Sequence, residues 1–224
     1  DEGSEIRAKA ELEYARMLLH GRRTEEAEAL LLSQATDRPN DPLPRTELSR
    51  LYHSRGDLAL AVDQYAELRT LGPVSEELAF WHATALLGQA QIETAFRQIE
   101  DDIPKIADST RLTLLRARAL AVARDKSTRQ VQAALDALIA SRQPRDVLFA
   151  ETVAMLWARL GRYDHATDWQ RSAVSALISS RTTASEQIAR RRLALYREKK
   201  SLSNPWERFE RPVQLEIPDH ATNE

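Results

Sequence analysis

The feature that most limits how this chain can fold is a period of 34 residues. Ala27, Ala61 and Ala95 recur at that interval, and so do Pro39 and Pro73. A small residue returning at fixed spacing marks one structural unit used repeatedly, each copy burying against the next the faces it cannot bury alone. Within one period, Leu48 and Tyr52 lie a helical turn apart, Gly56-Asp57 makes a turn, and Ala61, Tyr65 and Leu68 share one face of a second helix. The unit is a helix–turn–helix hairpin. Ala61 falls at the helix crossing, where two helices approach to about 8–9 Å only if a side chain there is short. Further on, Gly161-Arg162-Tyr163-Asp164-His165-Ala166 repeats the turn and the small residue, with Val153, Ala154 and Trp157 where Leu48, Ser49 and Tyr52 stood. In the looser fourth hairpin, Val131 is the counterpart of Ala95 and Ala166.

This periodicity predicts paired helices over about 5–20 and 24–35, 44–55 and 58–71, 75–88 and 91–102, 109–123 and 128–141, 145–160 and 163–180, then a closing helix over about 183–199. Composition agrees, since 33 Ala and 30 Leu against 8 Val and 9 Ile favour helix over sheet. The fold class is therefore all-α. A repeat domain with its capping helix is expected over residues 5–200 and a proline-containing tail over 201–224. In the cap, Ile188, Leu193 and Leu195 are expected to face the core, and Arg190, Arg191, Arg192, Arg197, Lys199 and Lys200 to face water. In the tail, Trp206 and Phe209 are expected to dock on the repeats or on a partner, and Val213-x-Leu215-x-Ile217 alternates like a short strand.

The hairpins resemble the tetratricopeptide repeat family. The residues carrying the resemblance are Leu48-Ser49-x-x-Tyr52-x-x-x-Gly56-Asp57-x-x-x-Ala61-x-x-x-Tyr65-x-x-Leu68-x-x-x-x-Pro73 and Gly161-Arg162-Tyr163-x-x-Ala166, within five hairpins spanning about residues 8–180. Departures are local: Gly21 is followed by one extra residue before Ala27, Ala90-Gln91 replaces the usual Gly-Asp turn, and 124–128 is a lengthened turn. The segments Asp168-Trp169-Gln170-Arg171-Ser172-Ala173 and Arg191-Arg192-Leu193-Ala194-Leu195-Tyr196-Arg197 are also similar to the ends of some bacterial members. The resemblance implies a right-handed α-solenoid, a superhelix of paired helices whose concave groove binds peptide segments or partner proteins.

Motifs for chemistry are scarce. The six glycines are scattered, so no phosphate-cradling loop or dinucleotide fingerprint is present, and the five histidines form no HExxH pair. Zero cysteines exclude disulfides and thiolate metal sites. Adjacent acids such as Glu76-Glu77 and Asp101-Asp102 point roughly 100° apart on a helix and cannot flank one substrate bond. No enzymatic activity, cofactor or metal is therefore expected. No apolar run is long enough to span a bilayer. The chain opens at Asp1 rather than Met, so something upstream is expected to have been removed, which leaves both a cytoplasmic and an exported location open.

The resemblance places a groove along the first helix of each hairpin. Carried over position by position, it assigns partner contact to Arg16, Arg50, His53, Phe80, Thr84, Arg118, Met155 and Arg159. Arginines recurring along one groove suit a partner that brings carboxylates, which the planar guanidinium binds bidentately. Members that clamp chaperone C-termini carry Lys and Asn where this chain has Thr46 and Arg50, or Phe80 and Thr84, so that function is disfavoured. The expected role is a protein–protein scaffold or adaptor for an acidic protein or peptide. Two alternatives stand beside it. One is a nucleic-acid-binding solenoid using the groove arginines and residues 181–200, where seven Arg or Lys meet two Glu, although the net charge of −2 disfavours nucleic acid. The other is a helical accessory region of a larger enzyme.

Overall fold

Proline, glycine and short polar side chains set the helix ends. Asp41 accepts a hydrogen bond from the backbone N–H of Leu43 at 3.0 Å ahead of Pro42, Ser75 accepts from Leu78, and Asp146 accepts from Phe149 at 2.8 Å, each capping orphan donors of a first turn. Ser127 and Gln130 close a reciprocal capping box. The computed structural model describes residues 2–123, 126–141, 146–179 and 183–202. Among these the elements are α1 (Glu2–His20), α2 (Thr24–Asp37), α3 (Pro42–Arg55), α4 (Leu58–Thr70), α5 (Glu76–Gly88), α6 (Ile92–Asp102), α7 (Thr110–Val122), α8 (Thr128–Ala140), α9 (Val147–Arg159), α10 (Tyr163–Ser179) and α11 (Thr183–Arg197), with a short 3₁₀ turn over Ile103–Lys105 and no strand. The tail's aromatics and its alternating segment lie outside the described residues.

The turns inside the hairpins show the period at backbone level. Gly56 and Gly161 adopt left-handed φ of 83° and 74°, which glycine takes without steric cost. The same conformation is held by Arg22 and Ala90, both at φ 60° and one period either side of Gly56. The extra residue after Gly21 and the Ala90-Gln91 substitution therefore leave the turn intact.

Small residues do the packing expected of them. Ala27, Ala61, Ala95 and Ala166 are each 0% exposed, as is Val131 in the fourth hairpin. The contacts gather into two compact units, one ending at Leu71 and one beginning at Gly72, where Gly72-Pro73 interrupts the helices. In the first unit, α1 packs on α2, α2 on α3 and α3 on α4, around Leu12, Leu31, Leu48 and Tyr65. In the second, the first helices α5, α7 and α9 pack in series, α6, α8 and α10 pair with them, and α11 closes the stack against α10.

The cap's buried face differs from the expected one. Ala189, Arg192, Leu193 and Tyr196 point inward at i, i+3, i+4 and i+7 spacing, whereas Ile188 and Leu195 are only partly covered. Arg192, expected in water, is 4% exposed. The chain leaving the cap returns to the last hairpin, where Ser201 Oγ donates to the Ala158 carbonyl at 3.0 Å.

Candidate partner-binding surface

Repetition of charge along the first helices creates a ladder in the first unit. Arg16 on α1 donates from Nε to Glu47 Oε1 on α3 at 2.9 Å and from Nη1 to Glu13 Oε1 at 2.7 Å. Arg50 Nη1 stands 3.7 Å from the same Glu47 oxygen. Glu13 and Glu47 are one period apart, as are Arg16 and Arg50, so the charges alternate Glu13–Arg16–Glu47–Arg50 across two helices. Partial burial opposes the Arg16 charge, but the hydrogen bond and charge of Glu47 outweigh it and raise the guanidinium pKa. The side chains of Arg16 and Arg50 remain 38% and 43% exposed. Glu47 was not among the expected contacts, although its spacing from Glu13 carries the signal.

Five of the eight assigned residues are core residues. His53 is 4% exposed, with Nδ1 3.3 Å from the Tyr65 hydroxyl. Phe80 lies under the guanidinium of Arg111, 3.9 Å from the ring centre. Thr84 is buried, and its hydroxyl has no hydrogen-bond partner among the described residues. Met155 belongs to the cluster formed with Phe149, Val153 and Leu156. Arg118 is 1% exposed, because α5, α6, α8 and α9 all pack on its helix. Arg159, by contrast, is exposed on α9 and donates from Nη2 to the Ala123 carbonyl at 3.4 Å. Of the eight, Arg16 is part-exposed and Arg50 and Arg159 are exposed.

Burial of Arg118 rests on a polar network. Its Nη2 stands 3.6 Å from Glu151 Oε2 on α9, and Arg192 of the cap donates from Nη1 to that same oxygen. Gln170 Nε2 on α10 donates to the other Glu151 oxygen at 3.3 Å and to the Ala189 carbonyl at 3.1 Å. One carboxylate thus ties together α7, α9, α10 and α11. Tyr196 lies against Ala154, Ala158 and Ala166, and burial pushes its phenol well above the usual tyrosine range. Its hydroxyl has no hydrogen-bond partner among the described residues.

Among the described residues no group of three or more His, Cys, Asp or Glu could hold a metal ion. No described helix is long and apolar enough to cross a membrane. Among solved structures the chain is similar to PilW, a widely conserved type IV pilus biogenesis factor, with a TM-score of 0.61 over 89% of this chain and 90% of that one. The fold is a tetratricopeptide-like helical repeat. At 14% identity the likeness carries the architecture alone. No family model and no curated protein matches the sequence.

Proposed function

We propose that this chain is a non-enzymatic adaptor that holds an acidic segment of a partner protein on the first-helix surface of α1 and α3. The observation that carries the reading is the Glu13–Arg16–Glu47–Arg50 ladder, in which the part-exposed Arg16 and Arg50 flank a buried Glu47. The Arg50–Glu47 contact is long, at 3.7 Å, and its guanidinium is part-exposed, so exchanging that contact for a partner's carboxylate costs little. Arg50 offers a planar fork for such a group, and Glu13 and Glu47 hold Arg16 in place beside it. Arg159, at the repeat position of Ser54, is the exposed arginine of the assigned set in the second unit. The fold likeness to a helical-repeat biogenesis factor supports the adaptor class, since repeat folds present extended surfaces to other proteins.

The test is site-specific photo-crosslinking from Ser54, exposed on α3, in cells producing the chain. A discrete protein adduct is expected, lost when Arg50→Glu is introduced while the circular dichroism and melting temperature of the variant stay unchanged. Failure to form any protein adduct contradicts the reading. So does an adduct indifferent to Arg50→Glu.

A further inference from the structure

We draw no further inference here: the strongest candidate, the basic edge where the α9–α10 turn brings Arg159 and Arg162 beside the end of α11 with Arg197 and Lys199, carries nothing, because cations at helix C-termini already answer the negative ends of their own helices and nothing in the structure points to an anionic ligand over them.

Discussion

In the unit that ends at Leu71, Arg16 reaches a glutamate on the next first helix from a side chain 38% exposed; in the unit that begins at Gly72, Arg118, three periods further on, reaches Glu151 with 2% of its side chain exposed. The arginines share residue type and repeat position but not solvent, whereas the acids they reach are equally covered, with the side chains of Glu47 and Glu151 10% and 11% exposed. In the first unit water reaches the Arg16 guanidinium and screens the pair, which is expected to contribute about 1 kcal/mol at most. In the second, neighbouring helices enclose the pair and a second guanidinium from the cap shares the carboxylate. There, removing one member leaves charge buried without its counter-ion, which costs about 3–5 kcal/mol. One repeat position is thus part-exposed in the first unit and an enclosed fastener in the second, according to what packs over it.

The largest effect expected from this contrast is on Glu151. Glu151→Ala should lower stability by about 3 kcal/mol and the melting temperature by roughly 10 °C, while Glu47→Ala should cost under about 1 kcal/mol. Equal losses in thermal melts of the two variants would break the comparison. Next come the helix crossings, where both units should respond alike: Ala61→Leu and Ala166→Leu each put a large side chain where exposure is 0% and should cost about 1–3 kcal/mol by chemical denaturation. A neutral result at either position removes that unit from the repeat.

Smaller effects separate two of the buried tyrosines, Tyr52 and Tyr196. Tyr52 donates its hydroxyl to Glu28 at 3.0 Å, so Tyr52→Phe should lose about 1 kcal/mol. Tyr196 buries a hydroxyl that finds no hydrogen-bond partner among the described residues, so Tyr196→Phe should be neutral or gain up to about 1 kcal/mol. A loss at Tyr196 matching that at Tyr52 would show a hydrogen bond in the cap. Burial, then the hydrogen bond to Glu28, raises the Tyr52 phenol from 10.0 to about 12. A raised folded-state pKa means that the folded chain holds the proton longer than the unfolded one. Its stability contribution is intact below about pH 10 and is lost as pH rises from 10 to about 12. Denaturation midpoints measured across that window should fall, and less steeply in Tyr52→Phe.

Most of the architecture was legible because it rests on small residues and turns. Ala27, Ala61, Ala95 and Ala166 are all buried, and the helices begin and end within a few residues of where Pro42, Gly56, Gly72-Pro73 and Gly161 place them. Less of the site was. Arg16 and Arg50 could be found by stepping one period, but the same step reaches Thr84 and Arg118, which are buried, because periodicity gives a position on a helix and not what covers it. Arg192 was misplaced for a related reason: an arginine reads as polar wherever it stands, and only its carboxylate partner takes it inside. A signal did exist in α9, where Glu151 and Thr152 interrupt the apolar run between Val147-Leu148-Phe149-Ala150 and Val153-Ala154-Met155-Leu156. An acid in such a helix needs cations, and those are 33 residues before it and 41 after.

The contrast between the units is tested most directly by two double-mutant cycles measured side by side, Arg16→Ala with Glu47→Ala and Arg118→Ala with Glu151→Ala. The coupling free energy should be below about 0.5 kcal/mol for the first pair and above about 1.5 kcal/mol for the second. Comparable couplings in the two cycles, or the stronger one at Arg16 and Glu47, would contradict the division into a solvent-screened pair and an enclosed fastener.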